Sequence, residues 1–161
     1  MMSLKSKRRI VRERVLQILY AYEMNHESLQ LLIDGTLSDI KNKADKEFAN
    51  DLINRVLIHI KELDEKILER VANWEMSRIA LIDRLLLRMG ICELLYFPDI
   101  PPKVSINESI EIAKDFSTAG SGKFINGILD AILSDEKKSG KLKKTGRGLV
   151  EESMHKPFDE K

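Results

Sequence analysis

Cysteine is nearly absent: Cys92 is alone in 161 residues. No intramolecular disulfide can form, and a structural zinc site would have to be built with almost no sulfur. Aromatic residues make up 6%, too few for a β-rich fold packed on Tyr, Phe and Trp. No segment alternates with period two, and no strand-helix-strand order can be traced. Long apolar runs are missing as well. The most apolar window, Ile79 to Phe97, is interrupted by Asp83, Arg84, Arg88 and Glu93, short of the ~18 uncharged residues a membrane span needs. A basic start without a signal-type apolar stretch leaves the cytoplasm as the expected location.

Candidate chemistry is equally thin. His26, His59 and His155 share no metal-ligand spacing with each other or with Cys92. Glu108 and Glu111, three apart on one predicted helix, could pair as catalytic carboxylates. Their position early in that helix is explained as well by the helix dipole. Gly120-Ser121-Gly122-Lys123 has a superficial likeness to a phosphate loop, but the full Walker pattern and the preceding strand are missing. No catalytic centre, metal site or cofactor is expected.

What is present is helical periodicity and an uneven charge pattern. Hydrophobic residues reach 43% and charged residues 33%, enough for a real core in a soluble globular chain. Val11, Val15, Ile18, Leu19 and Tyr22 mark a helix from Lys7 to Asn25. A short piece follows over Ser28–Ile33, broken by Asp34-Gly35, and Thr36–Lys46 reads as a loop or weak helix. Phe48, Leu52, Val56, Ile60, Leu63, Ile67 and Val71 predict one long helix from Asp45 to Val71. Ser77 is a candidate cap for a central helix over Ile79–Phe97, which Pro98, Pro101 and Pro102 end. Ser105-Ile106-Asn107-Glu108 fits a capping box starting a helix that ends near Phe116. The last helix is expected over Ser121–Leu133, with Gly127 at a close packing contact. Beyond Ser134 the chain lacks apolar period and reads as a basic, disordered tail. The expected architecture is all-α, with six to seven helices in two small packed bundles, at about 7–72 and 77–133.

Net charge is only +1, but residues 1–14 carry six Lys or Arg against Glu13, and residues 134–148 six against Asp135 and Glu136. The rest of the chain is therefore acidic, which suggests one surface for a polyanion and another for a basic partner. Lys7, Arg8, Arg9 and Arg12 stand at a helix N-terminus, where positive charge opposes the macrodipole. Arginine's planar fork suits phosphate and stacks on bases. Lys123 and Phe124 open the last helix after a small-residue loop, offering a cation near a helix N-terminus and an aromatic for base stacking. Single-stranded RNA fits this mixture.

Two runs carry a family likeness. Pro102-Lys103-Val104-Ser105-Ile106-Asn107-Glu108, with the amphipathic stretch Ser109–Lys114 after it, and Lys123-Phe124-Ile125-Asn126-Gly127-Ile128-Leu129-Asp130 resemble, at matching separation, two motifs of the NusB family. Arg8-Arg9 with Leu16-Gln17-Ile18-Leu19-Tyr20 is similar to that family's opening helix, and Asp83-Arg84 through Glu93-Leu94 to its central one. The likeness spans about residues 7–133. It implies an all-α fold of two bundles and binding to the boxA element of nascent ribosomal RNA transcripts. It also implies partnership with the ribosomal protein NusE and entry into an antitermination complex on RNA polymerase. By position, Lys7, Arg8, Arg9, Arg12, Lys123 and Phe124 would contact RNA, and Tyr20 and Asp83 would face NusE. Thr118–Gly122 departs from the family in lacking the acidic residue and histidine that usually precede the lysine, and Ser105 replaces the usual alanine. Two other functions fit a helical chain of this kind: a homodimeric protein-interaction module, and a detached RNA-binding domain of a ribosomal RNA methyltransferase.

Overall fold

The computed structural model describes residues 5–26, 28–71 and 76–150, and within them every regular element is helical. Helix α1 spans Lys7–Asn25, as its stripe predicts. The Ser6 hydroxyl caps it by accepting from the Arg9 amide at 3.0 Å, and His26 ends it in the left-handed region at φ 52°. Helix α2, Leu29–Thr36, starts at Ser28, and helix α3, Lys43–Ile58, starts at Asn42, whose side chain accepts from the Asp45 amide. Short polar side chains satisfy the orphan amides at all three starts.

The single helix expected over Asp45–Val71 is instead two, α3 and α4 (Ile60–Leu68), parted at His59. The four-residue spacing of Phe48, Leu52, Val56 and Ile60 drifts by about 40° per step around a helix of 3.6 residues per turn. A straight continuation would carry Ile60 off the core. The break resets the phase, and Leu63 and Ile67 return to full burial. The His59 ring fills the corner, stacked on Tyr96 at 4.1 Å.

Helix α5, Leu81–Tyr96, is the apolar segment at the centre. It packs against α1, α3 and α4 on one side and against α6 and α7 on the other. The two bundles, α1–α4 and α5–α7, thus share one continuous core. Ser77 sits in a short 3₁₀ turn and caps nothing; Ala80 precedes α5 without a side-chain cap. Helix α6 runs Pro102–Phe116 and begins at Pro102, three residues before the supposed capping box. Proline at the first helical position lacks only an amide that would be unpaired there anyway. Ser105 lies inside the helix, buried.

Helix α7 runs Ser121–Ser139 and stops at Gly140, φ 74°. Its last turns continue past Leu133 because polar contacts replace the apolar stripe. Glu136 is buried and accepts from Lys66 at 2.9 Å, and Asp135 pairs with Arg70. The expected disordered tail therefore does not begin at Ser134. Residues 141–150 cross back to the end of α5, and 151–161, with His155, lie outside the described residues. Asn126-Gly127 is helical, yet Gly127 faces open space. Within the helices the tight glycine is Gly90, where a Cβ would stand 2.9 Å from a Leu129 methyl.

Candidate nucleic-acid interface

Four cations of α1 sit within its first two turns, and their surroundings separate their roles. Arg12 is buried and donates two bonds of 2.8 Å to Glu93 of α5, while Ser105 Oγ donates to the same carboxylate at 2.7 Å. Burial pulls the Arg12 pKa down, Glu93 more than offsets it, and the guanidinium stays charged. Arg12 is thus a strut between the bundles, with its guanidinium committed to Glu93 at the floor of the cleft that Arg8 and Glu108 also line. Arg8 lies over the Phe48 ring at 4.4 Å and pairs with Asp45 at 2.9 Å. Arg9 grips Glu108 of α6 through two bonds, of 2.9 and 2.8 Å. Both remain partly exposed, and Lys7 is fully so. Lys7 borders a cleft of about 310 Å³ with Asp39, Asn42 and Asp45.

The second cation group flanks α6 on its far side. A cleft of about 730 Å³ lies between the C-terminal half of α6 and the start of α7, lined by Ile110, Lys114, Ser117, Thr118, Gly122 and Lys123 among others. Lys114 and Lys123 are exposed. Phe124, one residue on and about 100° around the helix, turns to a neighbouring hollow of about 250 Å³ with Arg78 and Asp83. It is half-buried against the core, so part of its ring face serves packing.

Glu108 and Asp115, seven apart on α6, take Arg9 of α1 and Lys5 just before it. Ile110, Lys114 and Ser117 border the α7 cleft. Between these two rows runs the solvent ridge Asn107, Glu111 and Lys114. The structure thus sets Arg8 and Arg9 along one flank of α6 and Lys123 along the other. Lys114 was missed in the sequence. Its signal was the four-residue step from Ile110, which was absorbed into a generic amphipathic pattern.

The acidic candidates are spoken for. Asp83 is buried, accepting from Ser117 Oγ at 2.7 Å and Ser121 Oγ at 2.9 Å. It ties the α6–α7 connection to α5 and also lines the hollow beside Phe124. Those two serines are the loop residues that sequence reasoning overlooked. Tyr20, by contrast, stands 40% exposed on α1. Glu108 and Glu111 are engaged by Arg9 and Lys114. Burial pushes the Cys92 thiol far up, so no thiolate is available. Among the described residues no cluster of His, Cys, Asp and Glu could hold a metal, and no helix is long and apolar enough to cross a membrane. The arrangement can bind anions and stack bases.

Comparison with known proteins gives a consistent result. The family model for the NusB family matches residues 9–134. The transcription antitermination protein NusB of Chloroherpeton thalassium is 47% identical over 149 residues, covering 89% of this chain and 69% of that protein. The crystal form 2 structure of T. maritima NusB superposes with a TM-score of 0.76 at 35% identity, over 86% of this chain and all of that one. A crystal structure of the antitermination factors NusB and NusE in complex with double-stranded RNA superposes at 0.71 with 27% identity, over 80% and 96%. With its family model spanning most of the sequence and its helices laid out as in solved relatives, the chain belongs to the NusB family of transcription antitermination factors and is not an enzyme.

Proposed function

We propose that this protein acts in the cytoplasm as an RNA-binding adaptor. It binds boxA-type single-stranded RNA of ribosomal RNA transcripts together with NusE and helps load the antitermination complex on RNA polymerase. The observation that carries the reading is the pair of cation groups on either flank of α6, Arg8 and Arg9 on one side, Lys114 and Lys123 on the other, with Lys7 exposed beside the first group in the neighbouring cleft of α1 and α3. A strand lying along the exposed ridge of α6 would meet both. The partner named with the NusB–NusE–RNA relative supports the choice of NusE and of RNA as ligands. Phosphate contacts from these residues would supply affinity, and Phe124 would add stacking on one base. Tyr20 is the residue assigned to the NusE surface. The N-terminal bundle, about 7–72, and the C-terminal bundle, about 77–133, each contribute one cation group.

The test is a titration of boxA RNA and a scrambled RNA, each with and without NusE, over a range of salt. Preference for boxA is expected in the presence of NusE, with the log-log salt slope falling by about 0.7 for each phosphate neutralised. Replacing Arg8 and Arg9, or Lys114 and Lys123, by alanine should weaken binding and flatten the slope. Equal affinity for both RNAs in every condition would reduce the activity to generic polyanion binding. A dimer that persists in saturating RNA, with no RNA retained, would point to the interaction-module reading instead.

A further inference from the structure

The segment after α7 has a defined seat. Lys144 Nζ donates to the carbonyl oxygens of Glu93 and Phe97, at 3.1 and 2.8 Å, and so closes the C-terminus of α5. The Thr145 amide donates to the Pro98 carbonyl at 2.9 Å. Gly148 is buried against the same turn, where a Cβ would lie 1.9 Å from the Pro98 oxygen; no other residue fits without moving backbone. Leu142 packs against the core at the start of the segment. These contacts carry Arg147 to a cleft of about 440 Å³ that also holds Ser6, Arg8, Val104 and Glu108. That cleft lies at the N-terminal end of α6, on the flank that faces α1.

Arg147 differs from the arginines around it. Arg8, Arg9 and Arg12 each have a carboxylate partner, whereas among the described residues none lies within ion-pair distance of Arg147. Asp45 and Glu108 in the cleft are already taken by Arg8 and Arg9, and Asp99 lies near the Lys144 ammonium. Arg147 is exposed, so its five donors need no internal acceptor to be displaced before a ligand binds. It also lies beyond the stretch the family model matches.

We propose that residues 141–150 form a strap that holds Arg147 on the arginine flank of α6, where its guanidinium binds a phosphate of single-stranded RNA. This rests on the RNA-binding reading above and extends the site by one residue and one phosphate. The strap's position matters as much as its charge, because Lys143, exposed on the same segment, does not line the cleft.

The test uses the full chain with fluorescent boxA RNA, with and without NusE, between about 50 and 200 mM salt. Arg147→Ala should weaken binding about three- to tenfold, as the loss of one phosphate contact would, and flatten the salt slope by about 0.7. Gly148→Ala should release the strap, seen as a shift of the Leu142 methyl resonances, and lose the same affinity. The double variant should be no weaker than either single one, and Lys143→Ala should match the unaltered protein. An unchanged affinity in Arg147→Ala, an equal loss in Lys143→Ala, or tighter binding in Gly148→Ala would overturn the strap proposal while leaving the RNA-binding reading standing. If the unaltered protein binds no RNA with or without NusE, both fall.

Discussion

Arg12 and Arg9 are separated by one turn of helix and by their work. Arg12→Ala would leave Glu93 buried with only Ser105 to satisfy it, and a buried charge stripped of its partner costs about 3–5 kcal/mol. The expected result is a large drop in the urea midpoint, with the salt slope of RNA binding unchanged. Gly90→Ala is expected to cost about 1–3 kcal/mol, because a methyl would press on Leu129 and on Ser109 Oγ at 3.0 Å. Gly127→Ala, on an open helix face, should stabilise by about 0.5–1 kcal/mol; thermal melts of the two variants moving in opposite directions would check both. Nothing in the sequence could rank these residues. A cation's spacing tells which face it shares, but whether a carboxylate from a distant helix has claimed it depends on packing. Glu93 lies 81 positions from Arg12, and Glu108 lies 99 from Arg9. The serines that hold Asp83, Ser117 and Ser121, are likewise far along the chain.

Elements were legible wherever a local signal set their limits. The apolar stripe marks α1, and the three prolines separate α5 from α6. Boundaries set by distant contacts were not legible. The corner at His59 depends on Tyr96 of α5, and the last turn of α7 depends on Lys66 of α4. The strap was invisible for the same reason, since its anchors are backbone carbonyls at the end of α5. Its docking should depend on pH. Burial pushes the Lys144 ammonium down to about 8, against Glu93 and Asp99, which pull it up. Free in solution the group titrates near 10.5. Between these values the released strap holds a proton that the docked strap lacks, so docking strengthens as pH rises from about 8 towards 10.5 and is flat below. The Leu142 methyl signal should report a growing docked fraction over that window in the protein and no such trend in Lys144→Met. A docked fraction that falls on raising the pH would reverse the assignment.

For the whole molecule, near-neutral net charge conceals opposed charges set tooth against tooth. The sequence showed basic ends on an acidic body and suggested separate surfaces for each. In the folded chain the two interlock: Arg8 on Asp45, Arg9 on Glu108, Lys5 on Glu13 and Asp115. RNA must therefore compete with the protein's own carboxylates, which sets a threshold against weak polyanions and makes the acids, as much as the arginines, determinants of affinity. Glu108 gives the clearest test, since its bond to Arg9 joins α1 to the ridge of α6. Glu108→Gln keeps an amide oxygen to accept from Arg9 but removes the charge that a phosphate would have to displace. With about 1 kcal/mol or less at stake in a partly exposed ion pair, boxA RNA should bind about two- to fivefold more tightly, and helicity should stay the same. Weaker binding by this variant, with its fold intact, would mean that the carboxylate orients Arg9 for the phosphate instead of competing for it. In that case the ion pairs along α6 would be parts of a preformed site, and RNA would bind across them without breaking any.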